Sequence, residues 1–177
     1  MTVRFIGCLH LGHDAMARRR NFDNSSEHDD HLIKTWNLVV DKRDIVYILG
    51  DVTMETPEHY YKLDLLKGTK RVVLGNHDRP RDVTELLKYV DTVSGIEYYK
   101  GNLLTHCPIH PNELSFCRSN IHAHIHYNDL DEVLLPERYG RNSKLSKPTL
   151  YKYHNVDAHR INFRPKTLEE LGIGISN

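Results

Sequence analysis

The sequence has few cysteines and no long apolar segment, and each of these features argues against one class of protein. Three cysteines (Cys8, Cys107 and Cys117) are an odd, widely spaced set, which argues against a disulfide framework and indicates a reducing compartment. The longest apolar runs fall far short of the roughly 20 residues that span a bilayer. The N-terminal residues also lack a signal-peptide pattern. We therefore expect a cytoplasmic protein without a membrane partner.

The sequence also lacks an excess of charge of either sign. Lys and Arg number 24 and Asp and Glu number 24, so no overall field draws the chain toward nucleic acid or an acidic membrane. Charged residues make up 27% of the chain and hydrophobic residues 39%, which is typical of globular proteins. A length of 177 residues is enough for one domain with a substantial core, so we expect a single domain over residues 1–177.

Histidine is the residue type that is abundant. The chain contains 13 His, more than its 10 Gly or 7 Pro, and they are scattered along the sequence. A single histidine is most simply a surface or core residue. A set of histidines at strand ends, beside Asp and Asn, is the composition of a metal site.

Apolar patterning predicts strands alternating with helices in the first half, which is typical of an α/β fold with a partly parallel sheet. The second half favours strands and loops. Strands are predicted at 3–7, 44–51, 70–78, 102–106, 119–128 and 160–165, and helices at 25–40, 56–68, 81–90 and 167–171. The polar stretches 14–25 and 136–152 are predicted loops, the second of them long and mobile.

Five of the predicted strands stop at side chains that can bind metals. The stops are Cys8-Leu9-His10, Gly50-Asp51, Gly75-Asn76-His77-Asp78, Thr105-His106 and His122-Ala123-His124-Ile125-His126. Ligand-binding groups in α/β sheets gather at the carboxyl ends of the strands, so we expect these side chains to converge. Glycine before Asp51 and before Asn76 allows the backbone to turn sharply there.

The residue types at these stops favour particular metals. Imidazole, carboxylate and one carboxamide suit Mn, Fe, Zn or Ni, whereas Ca and Mg prefer oxygen ligands throughout. If Asp51 bridges, the set divides into two near-complete ligand shells. Two ions about 3.5–4 Å apart can clamp a phosphoryl group and hold a hydroxide nucleophile.

The five stops together resemble the calcineurin-like metallophosphoesterases, particularly the small stand-alone members of bacteria and phages. The family pattern is D-x-H, G-D, G-N-H-[DE], a lone His and G-H-x-H, in that order. This chain has Cys8-Leu9-His10, Gly50-Asp51, Gly75-Asn76-His77-Asp78, His106 and Ala123-His124-Ile125-His126. The resemblance covers nearly the whole chain and includes residues 154–171.

The resemblance implies a two-sheet αββα sandwich with helices outside and two divalent ions (Mn, Zn, Fe or Ni) at the strand ends. It implies hydrolysis of a phosphate ester, in which a metal-bound hydroxide attacks phosphorus. His77 would assist the leaving oxygen, with Asp78 orienting its ring. The implied metal ligands are Cys8, His10, Asp51, Asn76, His106, His124 and His126.

Two positions depart from the family pattern. Ala123 replaces a glycine, a mild steric change next to His124. Cys8 replaces an aspartate that binds one metal, and three interpretations compete: a thiolate ligand, a neutral thiol beside a half-empty site, and an inactivating replacement. Sulfur favours Zn or Fe over Mn, so we expect Cys8 to point at the metal site and the first metal to be zinc-like or weakly held.

The sequence specifies the substrate and its contacts less well than the metal ligands. A shallow site without a cap domain is consistent with a phosphodiester, such as a cyclic nucleotide or a nucleic-acid end, while a phosphomonoester or phosphoprotein stays open. His13 and the run Arg18 to Arg20 follow the first stop. His13 and Arg20 are candidate phosphate contacts, although a triple-Arg run is more often a solvated face.

Two other functional classes compete with the enzyme. A degenerate phosphoesterase could serve as a binding module because Cys8 replaces the aspartate, but the retained His77 argues against lost activity. A structural zinc protein fits poorly, since structural zinc sites favour Cys-rich tetrahedral sets.

Overall fold

The computed structural model describes residues 1–128, 130 and 152–174, so the loop predicted at 136–152 lies outside the described residues except for Lys152. The described chain forms an α/β fold with two four-stranded sheets. Among the residues described, no helix is both long enough and apolar enough to cross a membrane.

The first sheet contains the strands predicted in the first half of the chain. Its order is β1 (Val3–Ile6), β2 (Ile45–Leu49), β3 (Thr69–Val73) and β4 (Thr92–Ser94), and every neighbouring pair is parallel. β2 is apolar at every position, as expected for a strand in a parallel sheet that is covered on both faces. The short strand β4 has no long apolar run, and the sequence did not predict it.

The second sheet is built from short strands of the second half. Its order is β5 (Glu97–Tyr99), β6 (Asn102–Leu104), β7 (Asn120–His122) and β8 (Tyr153–Asn155). β5 and β6 are antiparallel, while β6–β7 and β7–β8 are parallel. β6 and β7 are the predicted strands before His106 and His124. β5 and β8 were not predicted, because their residues (EYY and YHN) form neither an aliphatic run nor a readable alternation.

The helices agree with the prediction in one case and differ in others. α2 (Ser25–Val39) is confirmed, and Asn24 caps it: the Asn24 side chain accepts from the Glu27 backbone N–H at 3.0 Å. The predicted loop at 14–25 is wrong in part, since α1 (Asp14–Arg19) begins there. The His13 imidazole caps α1 by accepting from the Met16 N–H at 3.0 Å, a role that propensity does not indicate.

The remaining predicted helices are shorter or tighter than expected. Residues Pro57–Leu65 form a 3₁₀ helix, and the third predicted helix reduces to a 3₁₀ turn at Pro80–Asp82 followed by α3 (Val83–Leu86). A further 3₁₀ helix spans Pro111–Ser115. Each 3₁₀ segment starts with proline, whose fixed φ suits a helix start but does not select an α helix.

The segment after β8 ties the second sheet to the end of β1. The Gly7 N–H donates to the Val156 carbonyl at 2.9 Å, and the Ala158 N–H donates to the Gly7 carbonyl at 2.9 Å. Phe5 pairs with Lys166 in an isolated antiparallel bridge. The predicted strand at 160–165 and helix at 167–171 are wrong, since both stretches consist mainly of turns held by these contacts.

Gly7 lies in close contact with both the end of β2 and the residue after β7. A Cβ added at Gly7 would lie 2.5 Å from the Ala123 Cβ and 2.7 Å from the Leu49 carbonyl oxygen. Ala123 occupies the position where the resembled family has glycine. The methyl group of Ala123 therefore requires position 7 to have no side chain.

We expect Gly7→Ala to lower the free energy of unfolding by about 1–3 kcal/mol, the usual cost of overpacking a core. Urea denaturation measures the change. Gly95→Ala is the matched control, because nothing lies within 4 Å of a Cβ at Gly95. Equal stabilities for the two variants would contradict the close approach at Gly7.

Candidate metal centre

The loops after β1 and β2 run side by side beyond the ends of the strands. The Cys8 N–H donates to the Gly50 carbonyl at 2.9 Å, and the His10 N–H donates to the Asp51 carbonyl at 3.0 Å. Gly50 has φ +74°, and a Cβ there would lie 2.4 Å from the His106 Nδ1 atom. This parallel pairing brings the first two predicted stops together, and glycine leaves space for the His106 ring.

The backbone at the predicted ligands is unusual. Ten non-glycine residues of the described chain have φ in the left-handed region, and five of them are predicted ligands. These are Cys8, His10, Asp51, His124 and His126. Such conformations cost on the order of 1–3 kcal/mol each and persist where the surrounding contacts enforce them, frequently at functional sites.

The predicted ligands form one contiguous group, called the cluster below, and its members are Cys8, His10, Asp51, Asn76, His106, His124 and His126. Two pairs of imidazoles lie at its ends. The ring centroids of His10 and His126 are 5.3 Å apart, and those of His106 and His124 are 4.8 Å apart.

Cys8 connects the two ends of the cluster. Its donor atom lies within 4.8 Å of those of His10 and His126, and also within 4.8 Å of those of Asp51 and His106. Donor atoms this close can reach a common ion. The buried His, Cys and Asp side chains of the cluster could therefore bind metal.

Asp51 lies between the two pairs of imidazoles. Its Oδ2 atom is 3.4 Å from His106 Nε2 and 3.9 Å from His10 Nε2, and its side chain is almost completely buried. Burial acts to raise the pKa of Asp51, but the hydrogen bond and charge of His106 outweigh it and bring the pKa to about 2. The carboxylate is therefore ionised at neutral pH, as a bridging ligand requires.

The His106 ring is held by the backbone on one side. Its Nδ1 lies 2.8 Å from the Leu49 carbonyl oxygen, which can only accept, so Nδ1 carries a proton. Its Nε2 lies 3.0 Å from Asn76 Oδ1 and 3.0 Å from His124 Nδ1. Burial acts to lower the pKa of His106, but Asp51 raises it overall. Nε2, Asn76 Oδ1 and His124 Nδ1 thus bring their lone pairs together. This arrangement becomes favourable when Nε2 carries a proton or binds a metal ion.

His10 lies completely buried, and neither of its ring nitrogens has a hydrogen-bond partner. Burial, together with the positive charge of Arg20, lowers the pKa of His10 well below its usual value. The ring is therefore neutral and offers an unused lone pair. Buried polar atoms are rarely left without a partner, so this orphaned imidazole fits a missing ion.

Cys8 is also completely buried, and its Sγ accepts a hydrogen bond from the His124 N–H at 3.2 Å. Burial raises the pKa of the Cys8 thiol, and the nearby charges of Asp157 and Asp51 raise it further. Cys8 is thus a neutral thiol when no cation is bound. A bound dication deprotonates a thiol that coordinates it.

The carboxylate of Asp78 forms its hydrogen bonds with backbone groups and not with the ring of His77, contrary to the role that the family resemblance implied. Its Oδ2 accepts from the Asp51 and Gly75 N–H groups, both at 2.8 Å, and its Oδ1 accepts from the Val52 N–H at 3.0 Å. Asp78 therefore fixes the backbone of two ligand loops. The carboxylate beside His77 is Glu55, whose Oε1 lies 3.4 Å from His77 Nδ1.

The two predicted phosphate contacts lie in different surroundings. His13 is partly exposed, with its ring centroid 6.4 Å from that of His10, so it borders the cluster. Arg20 is buried, and its guanidinium donates to the Cys8 carbonyl at 2.8 Å and to Asp157 at 3.3 Å. Arg20 therefore cannot bind a substrate, because its donors point into the protein.

Sequence reasoning missed three further residues beside the cluster. They are Glu55, Asp157 and Cys107, the last of which lies with His106 and His124 in a group of donor atoms within 4.8 Å of one another. Asp157 Oδ2 lies 2.8 Å from His126 Nδ1. Asp157 follows β8, which the sequence did not predict, and Glu55 lies in a loop, so no strand-end pattern marked either.

The two buried carboxylates make the metal-free protein sensitive to acid. The pKa values of Asp51 and Asp157 are lowered to about 2 from 3.8, so their stabilising effect is present above about pH 4 and lost as the pH falls toward 2. We expect each to contribute about 2 kcal/mol to this loss. Urea denaturation of chelator-treated protein between pH 5 and 2 should show a shallower dependence for Asp51→Asn.

The exposed Asp30 provides the control, and Asp30→Asn should keep the wild-type pH dependence. If Asp51→Asn keeps the wild-type pH dependence of the free energy of unfolding, the neighbouring imidazoles do not stabilise the Asp51 carboxylate.

Comparisons with known proteins give relatives but no activity. No family model matches the chain. The gene 66 proteins of Mycobacterium phages L5 and D29 are 42% identical over 81 residues and 40% identical over 85 residues. These alignments cover 43% and 45% of this chain, and 39% and 41% of the phage proteins.

One solved structure shares the fold. The crystal structure of the protein of unknown function AQ665 from Aquifex aeolicus has a TM-score of 0.69 and 23% identity, covering 96% of this chain and 97% of that one. The uncharacterized protein MJ1445 of Methanocaldococcus jannaschii is 30% identical over an alignment of 174 residues, and the alignment covers 94% of this chain and 87% of that protein. The chain therefore belongs to the same protein family as MJ1445.

Proposed function

We propose that this protein is a metal-dependent phosphoesterase with two divalent ions, built on the αββα sandwich of the calcineurin-like enzymes. The proposal combines the five sequence stops with the cluster that they form. His10, Cys8, Asp51 and His126 would hold the first ion. Asp51, Asn76, His106 and His124 would hold the second.

One observation carries this proposal. His10 is completely buried with two unpartnered ring nitrogens, and it lies 3.9 Å from an ionised carboxylate that His106 approaches from the other side. Buried polar atoms in proteins are nearly always partnered, so two unpartnered ring nitrogens beside a carboxylate fit an ion at this ring. An ion on each side of Asp51 accounts for both the orphaned imidazole and the crowded His106.

The donor set fits borderline metals with open coordination positions. When bound, two such ions neutralise charge on a phosphate ester and lower the pKa of a water nucleophile. The nitrogen and sulfur donors at the first position favour zinc or iron there, and the carboxamide of Asn76 at the second position also admits manganese. Both positions lie at the carboxyl ends of strands, where loops leave access for a substrate.

His77 is the residue that would donate a proton to the leaving oxygen. Its backbone N–H donates to Asp51 Oδ1 at 3.1 Å, and its ring lies at the edge of the cluster, 6.2 Å between centroids from His10. The Glu55 carboxylate lies 3.4 Å from Nδ1, where it would orient the ring and leave Nε2 available for a bound ester. Arg79 forms an ion pair with Glu55 and keeps that carboxylate in place.

The pairing of two arginines near the cluster favours a phosphodiester over a phosphomonoester. Arg20 is buried against Asp157, and Arg79 is paired with Glu55. Neither arginine is left to neutralise the second negative charge of a phosphomonoester. The proposed substrate class is therefore a phosphodiester, such as a cyclic nucleotide or a nucleic-acid end.

Metal analysis combined with turnover of two model substrates tests this function. We expect protein loaded with manganese or zinc to hydrolyse bis-p-nitrophenyl phosphate faster than p-nitrophenyl phosphate. Asp51→Ala should lose both metals and activity, because the carboxylate serves both ions. Asp44→Asn, a buried carboxylate at the opposite ends of the strands, should retain both.

Full activity in Asp51→Ala, or in exhaustively chelated protein, would contradict the two-metal mechanism. Faster hydrolysis of the monoester would show that the protein is a phosphatase and not a phosphodiesterase. Metal binding without turnover of either substrate would favour a binding module.

The role of His77 gives a separate prediction. His77→Ala should reduce turnover by about 10²–10⁴-fold, the usual scale for a lost general acid, with metal content unchanged. His110→Ala is the control, because His110 is exposed and lies outside the cluster. If His77→Ala loses metal instead, His77 is a ligand and not a proton donor.

A further inference from the structure

Asp157 lies directly behind the first metal position. Its Oδ2 is 2.8 Å from His126 Nδ1, and because a carboxylate only accepts, Nδ1 carries the proton. Nε2 is then the nitrogen that can bind a metal. The Asp157 side chain is almost completely buried and its pKa is about 2: burial acts to raise it, but His126 and Arg20 lower it overall.

Arg20 joins Asp157 to the other half of the same position. Its Nη2 donates to the Cys8 carbonyl at 2.8 Å and to Asp157 Oδ2 at 3.3 Å, and its Nη1 donates to the Leu9 carbonyl at 3.3 Å. Cys8 and His10 both have left-handed backbone, so the carbonyls that Arg20 holds belong to a strained turn. One guanidinium thus fixes this turn and the carboxylate behind His126.

The charge at this position also needs compensation. The resembled family has aspartate where this chain has Cys8, and a thiol carries no charge until a cation binds. Arg20 adds a positive charge that would repel a dication. Asp157 is the buried carboxylate that neutralises Arg20 and so removes this repulsion.

We propose that Arg20 and Asp157 are positioning residues of the first metal position: Asp157 holds His126 with Nε2 free for the ion and neutralises Arg20, while Arg20 holds the turn that carries Cys8. This inference rests on the proposed two-metal site. It concerns metal affinity and needs no particular substrate. Hydrogen-bonding partners of metal-bound histidines typically contribute about 10–100-fold to metal affinity.

Competition of the purified full-length protein with a zinc-binding dye, together with metal analysis, measures both positions. His10→Ala and Asn76→Ala identify the binding steps of the first and second positions. We expect Asp157→Asn to lower zinc affinity at the first position about 10–100-fold and to leave the second unchanged. The additional change Cys8→Asp should restore much of the lost affinity, because it returns a carboxylate to the site.

Removing one partner of a buried ion pair can prevent folding, so a second variant is needed. Arg20→Met combined with Asp157→Asn removes both charges and should fold, with first-position affinity still lowered. Asp44→Asn is the control for lost stability, because it removes a buried carboxylate that accepts from the Thr2 and Asp41 N–H groups far from the cluster. Its zinc affinity should match the wild type.

Wild-type affinity at the first position in both Asp157 variants would overturn the proposal, as would an equal loss in Asp44→Asn. Failure of Cys8→Asp to restore affinity would remove the charge argument and leave orientation of His126 alone. A protein that shows these zinc shifts but hydrolyses no phosphate ester would refute the proposed function and support this inference. Full phosphoesterase activity together with unchanged zinc affinities would support the proposed function and refute this inference.

Discussion

The parallel pairing of β1 with β2 determines where the N-terminal half of the cluster lies. The register runs from Val3–Ile45 to Ile6–Ile48 in the strands. Beyond them the two chain segments stay side by side, with the Cys8 N–H donating to the Gly50 carbonyl and, after a shift of one residue, the His10 N–H donating to the Asp51 carbonyl. A slip of one residue would turn every side chain to the opposite face and separate Asp51 from His10. The apolar faces of β1 and β2, buried in the core, specify this register, so the core and the site are positioned by one set of contacts.

The turns that follow these strands have strained backbone conformations, and hydrogen bonds from residues elsewhere in the chain stabilise these turns. Asp78 accepts from three backbone N–H groups of the loops after β2 and β3, while Arg20 donates to two carbonyls of the turn after β1. Both are charged and buried, and each forms several hydrogen bonds, which is the condition under which a buried charge is tolerated. Arg20 was expected to contact a substrate and Asp78 to orient the ring of His77. Both instead use their hydrogen bonds to hold the backbone.

Sequence reasoning located the strand ends better than the elements between them. An apolar run that stops at glycine and a polar side chain is a local signal, and it predicted Asp51, Asn76, His106 and His124 as neighbours. The helix α1 depends on an imidazole cap, and β8 depends on pairing with β7, so neither has a local signature. For the same reason Asp157 and Glu55 were missed, since their partners His126 and His77 are distant in sequence.

The two ends of the cluster differ in their access to solvent, and this difference gives the proposed ions different tasks. His10 and Cys8 are completely buried and His106 is almost so, whereas His124, His126 and His77 are partly exposed and Asn76 is exposed. Among the described residues, the second proposed position is therefore the more open of the two. The first proposed position, more deeply buried and with sulfur and nitrogen donors, would suit an ion that stays bound. The second, with an oxygen donor at the surface and His77 beside it, would suit an ion that exchanges solvent for a phosphate oxygen. The replacement of aspartate by Cys8 falls at the more buried position, where a change of donor would alter the choice of metal more than the contact with an ester.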